Sequence, residues 1–260
     1  MVPLYLRGWV PTQYDWYRNL LPFNNFLKFR ASWGRVGNDR LKDENGNDIR
    51  FPYLTTLGNV SSTWGTGLAE NRTGSMNLKW EVSTKTNFGI DARFFDDKVD
   101  MTVDFFHTKT TDIFQRRANI PDEGGLSNVL PYANIGSMKS WGMDGTLAYT
   151  HTFNKDMALT VRGNFTHAEN EVIYWEQSGV NYPYQSNSGV PYKVQRGLIA
   201  LGLFKDEDDI KSSPKQTFMD NYRPGDIKYK DVNGDGKIDK DDVVPLNYLC
   251  CTVYTIRFCT

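Results

Sequence analysis

Between Asn87 and Phe106 apolar and polar residues alternate one for one, and the pattern reflects about a short turn. Phe88, Ile90, Ala92 and Phe94 share one face of an extended strand, and Asn87, Gly89, Asp91 and Arg93 share the other, because successive side chains of a strand point to opposite sides. Phe95-Asp96-Asp97-Lys98 is the expected turn. Pairing Phe94 with Val99 also pairs Ala92 with Met101, Ile90 with Val103 and Phe88 with Phe105, and sets Arg93 opposite Asp100, so one register satisfies both faces. The pattern recurs. Trp141, Met143, Gly145, Leu147, Tyr149, His151 and Phe153 oppose Asp144, Thr146, Ala148, Thr150 and Thr152, with a turn at Asn154-Lys155-Asp156. Pairing Phe153 with Met157 then sets His151 against Leu159, Tyr149 against Val161, Leu147 against Gly163 and Gly145 against Phe165.

The patterning predicts strands near 27–36, 79–94, 98–111, 136–153 and 157–172. Two tight turns alternate with a Gly, Asn and Asp-rich loop from Gly37 to about Asn77, a loop between 111 and 136, and an outer segment over 173–245. Within that segment Gly197–Phe204 is apolar on both faces, and the expectation is a strand covered on both sides. Residues 1–23 are an unassigned lead-in, 24–248 one β-domain, and 249–260 a tail of different texture. Soluble domains rarely carry several loops beyond about 12–15 residues, whereas outer-membrane barrels alternate short turns with long outer loops. Trp141 and Phe153 lie about 40 Å apart along a strand, which a tilt of about 40° reduces to about 30 Å, near the height of a lipid-facing band. The expected fold is all-β, an antiparallel transmembrane β-barrel section with long extracellular loops. It is incomplete, because the smallest such barrels need about eight strands. The alternative is a secreted soluble β-sandwich that binds glycans and is steadied by calcium.

Composition narrows the function classes. Lys+Arg of 30 against Asp+Glu of 31 gives a net charge of -1, so no basic field for nucleic acid exists. No run approaches the roughly 18 apolar residues of a membrane helix, and a mean hydropathy of -0.55 is uninformative for an alternating wall. Met1-Val2-Pro3-Leu4-Tyr5-Leu6-Arg7-Gly8 lacks the apolar core of a secretory signal, so the expectation is a chain without a signal peptide. All three cysteines, Cys250, Cys251 and Cys259, sit at the C-terminal end and fit neither a disulfide scaffold nor a zinc site.

One motif carries specific chemistry. Asp231-Val232-Asn233-Gly234-Asp235-Gly236-Lys237-Ile238-Asp239-Lys240-Asp241-Asp242 follows the twelve-residue calcium-loop spacing. Asp231, Asn233, Asp235, Asp239 and Asp242 fall at ligand positions 1, 3, 5, 9 and 12, the Lys237 carbonyl falls at 7, and Gly236 supplies the tight turn. Asp at position 12 reaches less far than the usual Glu, so the expectation is a structural Ca2+ of modest affinity, with a solvated acidic turn as the alternative. Tyr174, Trp175, Tyr182, Tyr184 and Tyr192 stand among Asn, Gln, Ser and Gly, and are substrate-contact candidates by ring stacking. They could equally pack on one another or anchor the loop at the headgroup level. His107, His151 and His167 sit in expected strands outside any catalytic pattern, and no enzyme activity is expected.

Several segments together resemble the SusC/RagA family of TonB-dependent outer-membrane transporters. They are Leu27–Gly34 with Gly37-Asn38, Asn77-Leu78-Lys79-Trp80-Glu81 with Asn87–Asp91, Asn134–Met138 with Gly142-Met143-Asp144, and Pro224–Asp231 leading into Asn233-Gly234-Asp235-Gly236. The resemblance covers roughly 24–245. It implies a TonB-energised nutrient importer in the cell outer membrane, a 22-stranded barrel with a plug, taking up oligosaccharides or peptides. The implied partners are a SusD-like surface lipoprotein, the TonB complex acting through a plug region not seen here, and outer-membrane lipid. In place of further barrel strands after Tyr248, the cysteine-bearing tail is expected to be atypical, consistent with a frameshift.

Overall fold

The structure is a computed structural model that describes residues 3–20, 23–42, 46–63, 65–120, 129–154, 157–219, 221–247 and 251–259. It forms two compact units, Met1–Glu176 with Cys250–Thr260, and Gln177–Leu249. The first unit carries β1 (Leu4–Trp9), helix α1 (Asp15–Leu20), β2 (Asn24–Asn38), a hairpin of β3 (Thr56–Ser62) and β4 (Gly65–Arg72), then β5 (Glu81–Phe94), β6 (Val99–Arg116), β7 (Tyr132–Asn154) and β8 (Met157–Tyr174). The second unit holds β9 (Gln195–Gly197), β10 (Ala200–Leu203), helix α2 (Glu207–Ser212), β11 (Lys215–Gln216), β12 (Ile227–Tyr229), β13 (Lys237–Ile238) and β14 (Val244–Asn247). The chain returns to the first unit as β15 (Cys251–Cys259).

Seven strands form one sheet in the order β1-β2-β5-β6-β7-β8-β15, with antiparallel neighbours throughout. The β5–β6 ladder runs in the register read from the alternation, with Phe94 opposite Val99, Ala92 opposite Met101, Ile90 opposite Val103, Phe88 opposite Phe105 and Arg93 opposite Asp100. Phe95, Asp96 and Asp97 turn it with φ of 56°, 55° and 62°, a left-handed run that the short polar Asp side chains tolerate better than Phe does. In β7–β8, His151, Tyr149, Leu147 and Gly145 meet Leu159, Val161, Gly163 and Phe165 as expected. Nearer the turn the register slips, so that Asn154 rather than Phe153 pairs with Met157, and Phe153 becomes a bulge residue.

Other expectations change. The loop from Gly37 to Asn77 contains the β3–β4 hairpin, whose Gly and Asn content weakens the period-two signal. Gly197–Phe204 is not one strand covered on both sides. β9 pairs with β14 and β10 with β12, with an irregularity between Ala200 and Gly202, and Leu201 and Leu203 are exposed while Phe204 is buried. The lead-in supplies an edge strand, β1, whose Trp9 stacks on Phe29 at 5.8 Å. The tail is not outside the sheet: residues 251–259 pair with β8 from Cys251 opposite Ala168 to Cys259 opposite Thr160. Thr, Val, Tyr, Ile and Phe suit an extended backbone, and the open β8 edge offers them a ladder. Residues 249, 250 and 260 lie outside the described residues.

Strands β6, β7 and β8 run 18, 23 and 18 residues, well beyond the roughly 9–11 that cross a bilayer. The apolar face of the sheet is bare: Phe88 of β5, Phe105 of β6, and Leu147 and Tyr149 of β7 are all exposed. Small residues on that face are covered by their larger neighbours: Ala92 is 1% exposed, flanked in register by Leu27 and Met101, and Gly145 is buried opposite Phe165.

Candidate functional site

On the polar face Arg30 of β2 bridges two neighbouring strands. Its Nε and Nη2 donate to Asp91 at 2.8 and 3.0 Å, and Nη2 donates to Asp104 at 3.0 Å. Gly89 makes room for it, because a Cβ there would come 2.8 Å from the Arg30 Cζ and against the Asp104 carboxylate. Arg93, opposite Asp100, lies instead over the Phe26 ring at 5.4 Å. A pocket of about 360 Å³ opens beside the triad, lined in part by Lys28, Ser32, Asn87 and Asp104.

Where the long connections leave the sheet, side chains tie strand ends to one another. Asn38 Nδ2 donates to Glu81 Oε2 at 2.9 Å, and Glu81 Oε1 accepts the Phe114 N–H at 3.1 Å, joining β2, β5 and β6. Asn134 accepts the Lys79 N–H at 2.8 Å and donates through Nδ2 to the Asp112 carbonyl at 2.8 Å. Asp112 is the bulged residue of β6, with φ 56°. Glu176, just past β8, accepts from Arg117 Nε at 2.7 Å and from the Asn119 N–H at 2.8 Å, while Gln115 Nε2 reaches its carbonyl.

Burial alone would raise the Glu176 carboxyl, but the Asn119 N–H and the Arg117 guanidinium outweigh it and hold it below the ordinary carboxylate range. A depressed value in the folded state means that the clamp's stabilisation is present above that range and is lost as pH falls through the folded value. The protection factor of the Asn119 amide, corrected for intrinsic exchange, is therefore expected to hold down to the usual carboxylate range and to collapse below it. Glu176→Gln should weaken the clamp at neutral pH by about 1–2 kcal/mol, since Arg117 is partly exposed. A variant with unchanged Asn119 protection would contradict this.

In the second unit the twelve-residue loop is organised by its own acceptors. Asp231 accepts from the Gly234 and Gly236 N–H groups at 2.7 and 2.9 Å, Asn233 from Asp235, Asp235 from Lys237, and Asp239 from Asp241. Asp242 is fully buried; its Oδ1 accepts from Val232 and Asn233 and its Oδ2 from Asp239, and no cationic side chain pairs with it among the described residues. Gly236, at the tight-turn position, has φ 83°. Among the described residues no three His, Cys, Asp or Glu side chains converge as a ready-made metal cluster.

The tyrosine candidates divide. Tyr182 and Tyr184 stack at 5.4 Å and are tied to the loop, Tyr184 donating to the Asp241 carbonyl at 2.7 Å and Tyr182 accepting from Asn233 at 3.4 Å. Burial, with Asp242 nearby, holds the Tyr184 phenol above its ordinary range, so it stays a donor at neutral pH. Tyr192 is exposed beneath the Lys193 ammonium. Tyr174, at the end of β8, and Trp175 belong to the first unit.

A bare amphipathic antiparallel sheet, with short turns at one end and long connections tied down at the other, defines a section of β-barrel wall. The chain belongs to the TonB-dependent receptor-like β-barrel family, whose profile matches residues 12–235. TonB-dependent receptor P39 of Formosa agariphila is 30% identical over 266 residues, covering 89% of this chain and 25% of that protein. TonB-dependent receptor SusC of Bacteroides thetaiotaomicron is 25% identical over 231 residues, covering 83% of this chain and 21% of the relative. The chain thus spans about a quarter of the length of the curated relatives it matches. The solved RagAB peptide transporter superposes with a TM-score of 0.64 at 20% identity, over 98% of this chain and 27% of that one. The RagAB peptide importer in its closed-closed state gives 0.61 at 21% identity, over 94% and 26%. These likenesses carry the fold.

The rim ties had a partial sequence signal. Asn38, Glu81 and Asn134 lie in the segments of family resemblance, but no role could be read for them. Arg117 and Glu176 lie in none of those segments.

Proposed function

We propose that this chain forms part of the barrel of an outer-membrane nutrient importer that takes up oligosaccharides or peptides, energised through TonB and working with a SusD-like surface lipoprotein. The observation that carries the reading is the bare apolar face, with Phe88, Phe105, Leu147 and Tyr149 exposed on one side and the Arg30–Asp91–Asp104 cluster on the other. In water such a face would be covered, as a sandwich covers it; beside lipid it is satisfied as it stands. The chain contributes wall and outer segments rather than chemistry. Deleting the gene should abolish growth on one oligosaccharide or peptide source while growth on its monomers persists. Unchanged growth across a panel of both would overturn the assignment.

The calcium reading accompanies it. The loop's oxygen-rich donor set, the left-handed Gly236 and a buried Asp242 with no cationic partner among the described residues support a hard divalent cation held by Asp231, Asn233, Asp235, Asp239, Asp242 and the Lys237 carbonyl. Several of these side chains must leave loop amides to reach the ion, so a dissociation constant of about 10⁻⁴–10⁻³ M is expected. Titration calorimetry of the chain should show one site that Asp231→Ala removes; no heat at millimolar calcium would exclude it.

A further inference from the structure

Between β2 and β5, the segments 39–41, 49–53 and 75–80 line an open cleft of about 620 Å³. Its lining is mainly apolar, including Leu41, Ile49, Phe51, Met76, Leu78 and Trp80, with one carboxylate, Asp39, and one ammonium, Lys79. Neither charge forms an ion pair among the described residues. The scaffold around the cleft is tied down. Asn38 is bonded to Glu81 and the Lys79 N–H to Asn134, which fixes the chain beside Asp39 at one end and beside Trp80 at the other. Within the loop the Ile49 N–H donates to the Leu41 carbonyl at 2.8 Å and the Ser75 N–H to the Pro52 carbonyl at 3.0 Å. The Trp80 ring lies so close over Gly37 that a Cβ there would come 2.8 Å from its Cε3.

Two features are unexplained by folding. Phe51 holds φ at 51°, a strained conformation for a bulky side chain, while Arg72 donates to its carbonyl at 3.2 Å. Trp80 and Met76 are 63% and 86% exposed despite the rigid frame beneath them. A preorganised concave site with large apolar side chains left open is the usual form of a ligand pocket.

We propose that this cleft binds the apolar side chain of a short zwitterionic peptide, with Asp39 and Lys79 available to its ammonium and carboxylate. The proposal rests on the importer reading and deepens it to a substrate class. A sugar ring could stack on Trp80, but its hydroxyls would meet Leu41, Ile49, Leu78 and Met76 and lose their hydrogen bonds to water without replacement. An aliphatic or aromatic side chain loses nothing there, and a lining that carries one carboxylate and one ammonium suits a zwitterionic peptide rather than a neutral glycan.

The test is saturation-transfer NMR on the full chain held in amphipol, with the tripeptide Ala-Leu-Ala, its Ser analogue Ala-Ser-Ala, and maltotriose. The Leu methyls should receive the strongest transfer, and Ala-Ser-Ala should bind at least about tenfold more weakly. Met76→Asp should weaken Ala-Leu-Ala by a similar factor. Lys79→Ala leaves the apolar lining intact and should produce a smaller loss confined to peptides with a free carboxylate. Equal binding of the Ser analogue, no effect of Met76→Asp, or preference for maltotriose overturns the proposal. Strand content of the same samples by circular dichroism separates this failure from misfolding. A folded, detergent-dependent chain that binds no tripeptide rejects the cleft alone, whereas a chain monodisperse without detergent rejects the wall reading.

Discussion

Leu147→Arg is expected to destabilise the sheet in a phospholipid bilayer by about 2–4 kcal/mol, while Thr146→Arg one residue away changes it by no more than about 1 kcal/mol. Leu147 lies midway between Trp141 and Phe153, is 52% exposed on the apolar face, and pairs in register with Met101 and Gly163. A guanidinium there must enter hydrocarbon or distort the bilayer around it. Thr146 pairs with Thr102 and Asn164 on the opposite face, where Arg30, Asp91 and Asp104 already form a charged cluster. In water neither change would matter much, because Leu147 is exposed and Thr146 only half-buried on this sheet. The contrast between neighbours is thus specific to lipid, and urea unfolding from vesicles measures it. Equal costs at the two positions would contradict the account.

Gly142→Val is expected to open the β7–β8 ladder. A Cβ at Gly142 would be driven against the His167 carbonyl, 2.7 Å from the Phe106 ring and 2.9 Å from the Ala168 Cα. Two of those three neighbours are backbone and cannot swing aside, and a β-branched side chain adds further atoms to the same space. The expected loss is about 3 kcal/mol, with reduced strand content by circular dichroism. Gly163 is a control on the adjacent strand: nothing lies within 4 Å of a Cβ built there, so Gly163→Ala should be near neutral. If Gly142→Val were as mild as Gly163→Ala, the close packing of β7 on β8 would be wrong.

The hairpins were legible because one apolar face and one polar face leave only one register that satisfies both, and a slip of one residue inverts every side chain. That constraint fixes Phe88 against Phe105 and Tyr149 against Val161, and it relaxes at the turn, where Phe153 bulges out. It is weak at β3 and β4, whose Gly, Ser and Asn residues carry little alternation, and at β9 and β10, which pair with different partners. The edge strands β1 and β15 gain their ladders from β2 and β8, a tertiary effect invisible to local pattern.

The site was legible in a different way. Spacing located the twelve-residue loop, but not that Tyr182 and Tyr184 are bound to it by hydrogen bonds to Asn233 and Asp241. The rim ties join residues far apart in the chain, such as Arg117 with Glu176 and Lys79 with Asn134, and no local pattern encodes such pairs. The cleft of residues 39–80 sits in a stretch that reads as featureless loop, because its apolar residues are scattered and become neighbours only through the hairpin and the rim.

The most direct test of the wall is the environment of consecutive residues on β6 and β7. Single nitroxide labels at 103, 104 and 105 and at 145, 146 and 147, in the chain reconstituted into vesicles, should alternate strictly. Odd positions should be accessible to oxygen dissolved in the bilayer, and even positions to a water-soluble nickel reagent. Uniform access of the nickel reagent to both sets, in a chain that stays monodisperse without lipid or detergent, would show a soluble sheet and contradict the assignment.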